Sequence, residues 1–387
     1  MTSDEDSCLV GCISKSDMKT RWWMHRDQKI EKDVARDKAH LKAHPNAFDM
    51  ERCYQSSVYF TDSVNLEDDA FICCPGSHNW LDEMGWESSG DRHHVSVPES
   101  DPRVKEAVRK LIVKKGEMIV WDSRLAHMGG YLTNCSATSK SKNTAFMIQM
   151  LRLDPIEWQD ASVIKHKLET EGVVLIKDIA TASDMDAFRE QLRDDIANIY
   201  GLEPKKDWKS YPDEIYGRTS KGGGSWGAVC CSRAVWEARL LPRRVAVFKK
   251  LLDAENIVVS IDSVHWSVGH PRLSVMASFC AKENRAEYAY KVKCVSQAYG
   301  LTRTTHWANN ADISGFSYGA DRNTKPQERL NAISSEWRGH GCKLPCNLPD
   351  ISNVSVKGLK AHINKVAQMM TMDEATNLLD FEVSRWF

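Results

Sequence analysis

A histidine and an aspartate stand two residues apart in Trp22-Trp23-Met24-His25-Arg26-Asp27-Gln28, the one His-x-Asp pair in the chain. On a strand, positions i and i+2 share a face, so His25 and Asp27 reach a single metal ion side by side. A distant histidine completes a set of two imidazoles and one carboxylate on one side of the ion. His127 is the best candidate, because it follows the strand-like Ile119-Val120-Trp121 through Asp122-Ser123-Arg124-Leu125-Ala126. Such a set leaves three positions open on Fe(II), enough for a bidentate 2-oxo acid and O2. With 13 histidines in 387 residues, a chance His-x-Asp is about as frequent as not, so the pair gains weight only from its company.

That company is specific. Tyr54-Gln55-Ser56-Ser57-Val58-Tyr59-Phe60-Thr61-Asp62 is followed by Cys74-Pro75-Gly76-Ser77-His78, and then by Trp121-Asp122-Ser123-Arg124 up to His127. In order and spacing these runs resemble the phytanoyl-CoA dioxygenase-like family of Fe(II)/2-oxoglutarate-dependent oxygenases. The resemblance implies a mainly β protein with flanking helices, built as a double-stranded β-helix (a jelly roll, cupin-like). It implies metal ligation by His25, Asp27 and His127, with Fe(II), 2-oxoglutarate and O2 as cofactor and co-substrates. It also implies hydroxylation or related oxidation of a small molecule, with release of succinate and CO2. Relatives that halogenate replace the carboxylate, so Asp27 disfavours halogenation. Gln28, Gln55, Trp121 and Arg124 are expected at the substrate pocket, each with a structural role as the alternative. His78 is expected to shape the pocket rather than bind metal, and His93-His94 falls in a polar loop.

The far carboxylate of 2-oxoglutarate needs a cation. Arginine suits it, because a guanidinium fork binds a carboxylate through two parallel hydrogen bonds whereas lysine offers a point charge. The family places this arginine at the start of the strand after the distal histidine. Here that strand begins at Lys142, whereas Arg272 opens a similar strand in the second half, Pro271-Arg272-Leu273-Ser274. The segment that ordinarily precedes the His-x-Asp pair also stands elsewhere, at about 161–264. Two readings follow: one circularly permuted β-helix anchored by Arg272, or a minimal oxygenase using Lys142 followed by a degenerate copy. The first is favoured, because neither half alone covers its sheet edges.

The elements that must position these residues read as short strands at 57–61, 70–74, 117–121 and 144–151, with a helix at 102–114 capped by Asp101 before Pro102. Farther on come a strand at 172–177, a helix at 183–200 with Ser183 as its cap, and a helix at 235–252 broken near Pro242. Gly222-Gly223-Gly224 lacks the following lysine and hydroxyl residue of a phosphate loop and reads as a surface loop. The expected organisation is an iron-binding core at 1–155, a segment at 161–325 completing the same domain, and a helical extension at 326–387 with an amphipathic stretch at 356–379.

Composition bounds the rest. The formal net charge is −1, from 52 basic and 53 acidic side chains, with no basic stripe for nucleic acid. Twelve cysteines without a Cys-x-x-Cys motif argue against a thiolate zinc site, and the vicinal pairs suit a reducing compartment. The polar start lacks an apolar signal region, and no apolar run is long enough to cross a bilayer. The expectation is a cytoplasmic enzyme with a small-molecule substrate, no nucleic-acid or membrane partner and an unspecified oligomeric state. The alternative is a relative that binds a ligand or a partner and has lost turnover.

Overall fold

A computed structural model of the chain describes residues 24–26, 54–65, 68–80, 95–98, 100–130, 148–200, 203, 224–225, 232–259, 264–267, 272–281, 291, 295, 356–371 and 373–375. The first part holds β1 (His25–Arg26), β2 (Tyr54–Tyr59), β3 (Ala70–Cys73), β4 (Val95–Ser96), α1 (Pro102–Ala107), β5 (Arg109–Leu111), β6 (Met118–Asp122), β7 (His127–Gly130) and β8 (Gln149–Leu151). The second part holds α2 (Ala161–Glu171), β9 (Val173–Ile176), α3 (Ala182–Tyr200), β10 (Gly224–Ser225), α4 (Arg233–Arg239), α5 (Pro242–Leu252), β11 (Ile257–Val259), β12 (Val264–Ser267), β13 (Arg272–Ala281) and α6 (Val356–Met369). None of these helices is long and apolar enough to cross a membrane.

The strands form two sheets. In the first the order is β4-β1-β7-β3-β5-β8, antiparallel except for the parallel pair β5–β8. In the second it is β10-β12-β13-β2-β6-β9, antiparallel throughout, with β11 also paired to β13. Residues opposite one another share a face, so the register sorts side chains into two layers. Tyr59, Ile119, Trp121, Val173 and Leu175 from the second sheet meet Phe71, Cys73 and Leu111 from the first in one cluster between the sheets. On the other face of the second sheet, Val58, Met118, Val120, Val174, Val275 and Phe279 pack on Phe188, Val235, Val247 and Phe248 from α3, α4 and α5. Burial on both faces is why β6 reads Met-Ile-Val-Trp-Asp without polar alternation.

Strands from distant parts of the chain lie side by side. β13 runs between β12 and β2, pairing from Ser274 with Tyr59 to Phe279 with Tyr54. β9 lies against β6, from Met118 with Ile176 to Trp121 with Val173. Stacked rings tie the layers together, Phe60 on Phe188 at 3.8 Å and Phe248 on Phe279 at 4.2 Å between centroids. Each such pair adds about 0.5–1.5 kcal/mol beyond area burial. The buried Arg244 guanidinium on α5 donates to the Ser56 carbonyl at 3.1 Å and to its hydroxyl at 2.8 Å, and that hydroxyl donates to the Ala277 carbonyl at 2.9 Å. One cation thus links a second-half helix to both β2 and β13.

Several elements differ from their sequence expectation. The helix expected over 102–114 ends at Ala107, because Val108 turns extended and Lys110 and Arg109 pair with Ile72 and Cys73. Val104, Val108 and Leu111 have helical spacing, yet pairing with β3 outweighs it. Asp101 caps α1 as expected, accepting from the Arg103 amide at 2.9 Å. The cap of α3 is Thr181 rather than Ser183: its hydroxyl accepts from the Asp184 amide at 3.2 Å while Asp184 accepts from the Thr181 amide at 2.8 Å. Gly224, expected in a loop, pairs with Trp266. The broken helix expected over 235–252 is two helices, α4 and α5.

Arg244→Met should lower unfolding free energy by about 1–3 kcal/mol, since it removes the buried charge-assisted bonds from α5 to the Ser56 carbonyl and hydroxyl. Urea unfolding reads this as a lower midpoint at an unchanged slope. An unchanged midpoint would separate α5 from the sheet.

Candidate metal centre

One row of positions crosses the first sheet: Ser96 opposite His25, His25 opposite His127, His127 opposite Cys73, and Cys73 opposite Arg109. Register alone therefore puts the two histidines on the same face as neighbours. Their ring centroids are 4.7 Å apart at 46°. Phe71 stacks along the His127 ring at 5.5 Å and 17°, and Trp121 reaches it from the facing sheet at 5.4 Å. The pair accordingly lies in the gap between the sheets, with His127 buried and His25 half-buried.

The His127 ring has a fixed orientation. Its Nδ1 lies 2.9 Å from the Leu125 carbonyl oxygen. A carbonyl only accepts, so Nδ1 carries the proton and the imine lone pair falls on Nε2. Metal-binding histidines are oriented in this manner. Two imidazoles in adjacent register fit a transition metal that takes nitrogen and carboxylate donors. Burial pushes the Cys73 thiol well above its ordinary value and the Cys74 thiol up to about 12, so neither offers a thiolate at neutral pH.

The wall opposite is the inner face of the second sheet. Gln55 lies opposite Trp121 and Ser278, and its Nε2 donates to the Ser123 hydroxyl at 3.2 Å. The buried Trp121 Nε1 and Ser57 Oγ have no hydrogen-bond partner among the described residues. Unsatisfied buried polar atoms cost about 1–3 kcal/mol each, and a ligand with acceptor oxygens would relieve that cost.

The Cys74-Pro75-Gly76-Ser77-His78 turn holds the strands that carry the histidines. The Ser77 carbonyl accepts from the Arg26 guanidinium, and the Ser77 hydroxyl accepts from the Ala126 amide at 2.9 Å. The Cys74 amide donates to the Ala126 carbonyl at 2.9 Å. Burial lowers Arg26 to about 10, so it stays a cation at neutral pH. The same turn reaches the second part of the chain: the Gly76 amide donates to the Glu171 carbonyl at 2.7 Å, and His78 Nε2 donates to the Glu169 carbonyl at 3.0 Å. Gly172 has φ 74°, and a Cβ there would lie 2.4 Å from His78 Nδ1.

The Asp122-Ser123-Arg124 turn carries the chain from β6 to β7. Asp122 accepts from Arg124 Nε at 2.8 Å and from a terminal guanidinium nitrogen at 2.6 Å, so this fork is committed to the corner. His25, His127, Trp121 and Gln55 are thus brought to one interior, whereas Arg124 is held at its edge. Asp27, Gln28 and Lys142 lie outside the described residues, as do His93 and His94; Arg272 is described as the first backbone position of β13, opposite Ser267. Among the described residues no three His, Cys, Asp or Glu side chains cluster for a metal, and the carboxylate of the expected set is not among them. Arg26, Phe71 and Gly172 went unrecognised in the sequence. Of these only Phe71 left a signal there, as part of the apolar run Ala70-Phe71-Ile72-Cys73.

Residues 15–140 match the family model for phytanoyl-CoA dioxygenase (PhyH). The match takes in both histidines, Asp27, Gln55, the Ser77 turn and the Arg124 corner, and stops before Lys142 and Arg272. Comparison with the curated proteins and with the solved structures gave no match.

Gly172→Ala should cost about 2–3 kcal/mol in urea unfolding, from a left-handed backbone and an overpacked contact. Burial holds the His78 pKa below its usual value. The unfolded chain therefore binds the extra proton first, so the His78 contribution is complete above the ordinary histidine range and is lost as pH falls through it. His78→Gln should flatten that part of the stability–pH curve; an unaltered slope would show that His78 is not the titrating group.

Proposed function

We propose that the chain is an Fe(II)/2-oxoglutarate-dependent dioxygenase acting on a small molecule, with His25, Asp27 and His127 as metal ligands. The observation that carries this is the paired register of His25 and His127 between the sheets, within the segment matching the phytanoyl-CoA dioxygenase model. Asp27 is assigned to the set from the His-x-Asp spacing in the sequence. Bound iron supplies the oxidative chemistry: O2 and 2-oxoglutarate give succinate and CO2, one oxygen atom entering succinate and the other a substrate C–H bond.

The chain's own groups bind, orient and exclude water. The Leu125 carbonyl keeps the Nδ1 proton on His127, so Nε2 remains a donor atom. Phe71 and Trp121 close the space around the ring. Arg272 is the preferred anchor for the far carboxylate. It opens β13, whose positions in phase with it include Met276 and Ser278, opposite Ser57 and Gln55. Gln28, Gln55 and Trp121 are assigned to the substrate pocket, and Arg124 to holding its corner. The two parts of the chain form one permuted double-stranded β-helix; support comes from β9 and β13 pairing with β6 and β2.

Anaerobic protein mixed with Fe(II) and 2-oxoglutarate should develop the weak visible metal-to-ligand charge-transfer band. His25→Ala and His127→Ala should abolish it. Arg272→Ala should raise the 2-oxoglutarate needed by about tenfold to a hundredfold, the worth of a lost charge-assisted pair, and Lys142→Ala should leave it unchanged. The reverse pattern would move the anchor to Lys142. Folded, iron-loaded protein without a band would contradict the dioxygenase reading and favour a ligand-binding relative without turnover.

A further inference from the structure

We propose that Arg26, which touches neither metal nor substrate, is the positioning residue of the candidate metal centre, holding the two histidine strands in register through Ser77. This rests on the iron reading above.

β1 is where register bears most directly on the two histidines. It is two residues long among the described residues, and pairs His25 with His127 and Ser96, and Arg26 with Val95. A slip of one residue moves every side chain of a strand to the other face. In this strand a slip would exchange His25 for Arg26 and remove the imidazole from the interior.

Arg26 occupies the opposite face and is 1% exposed. Its guanidinium donates to the Ser77 carbonyl, while the Ser77 hydroxyl accepts from the amide of Ala126. Arg26 follows His25 directly, and Ala126 directly precedes His127. A single serine is therefore bonded from one side by the neighbour of the first histidine and from the other by the neighbour of the second. The Cys74 amide on the Ala126 carbonyl makes the second attachment doubly fixed.

Burying a guanidinium costs several kcal/mol, and an apolar side chain would fill the same space more cheaply if packing were the only requirement. Among the described residues, Met24, Cys74, Val95 and Val97 already form an apolar cluster around the strand. What an apolar residue cannot supply is a directional bond to the turn that also holds His127. Loss of groups that orient metal ligands typically weakens metal binding by about 10–100-fold.

The test compares Arg26→Met, Arg26→Lys, Ser77→Ala and the control Arg244→Met by anaerobic Fe(II) titration, with urea unfolding of each. Arg244 is an equally buried cation outside the metal centre, so its loss should lower stability and leave the Fe(II) Kd unchanged. Arg26→Met should bind Fe(II) at least about tenfold more weakly while folded. Arg26→Lys should recover most of that loss, and Ser77→Ala should shift the Kd in the same direction as Arg26→Met. Should Arg26→Met fail to fold, the other two variants decide. Wild-type Kd in folded Arg26 and Ser77 variants would overturn the proposal alone. Failure of the wild-type protein to bind Fe(II) would overturn the iron reading, and this proposal with it.

Discussion

The carbonyl and hydroxyl of Ser77 bridge the segments that carry His25 and His127, and the candidate metal centre is arranged around that junction. β1 and β7 meet at the His25–His127 pair. The Ser77 carbonyl takes the Arg26 guanidinium from one, and the Ser77 hydroxyl takes the Ala126 amide that leads into the other. Hydrogen bonds of this type contribute about a kcal/mol or two each, so their importance lies in geometry more than in stability. They fix which face of β1 looks inward.

The same turn ties the second part of the chain to the first. Gly76 and His78 donate to carbonyls at the end of α2, and Gly172 leaves room for the His78 ring where any Cβ would collide. From Gly172 the chain enters β9, against β6, while β13 covers the far side of β2. The apolar outer faces of β2 and β6 are covered by Phe188, Val235 and Phe248. Exposing those faces would forfeit roughly 2 kcal/mol for each large side chain, which is why the second part belongs to the same folding unit in the reading proposed here.

The neighbouring placement of His25 and His127 was legible in the sequence because the proposed ligation imposes a rule: His25 must share a face with its partners. The strands around it were legible from their apolar runs, and α1 from Asp101-Pro102. Its end was not, since Val104, Val108 and Leu111 satisfy helical spacing and only pairing with β3 decides for a strand. Arg26 was illegible for a related reason. A charge inside a short strand reads as a solvent-facing residue until a partner far along the chain, Ser77, buries it. β13 was recognisable as a strand and Arg272 as its first residue, but nothing in the run itself says that it pairs with β2. Such pairing depends on the packing of the whole sheet.

The central claim is that His25 and His127 act on one metal ion. The most direct measurement is pulsed EPR on the Fe(II) protein treated with nitric oxide, which counts imidazole nitrogens at the metal. Two are expected in the wild-type protein and one in each of His25→Ala and His127→Ala. No imidazole coupling in the wild type, or the same count in all three proteins, would contradict it.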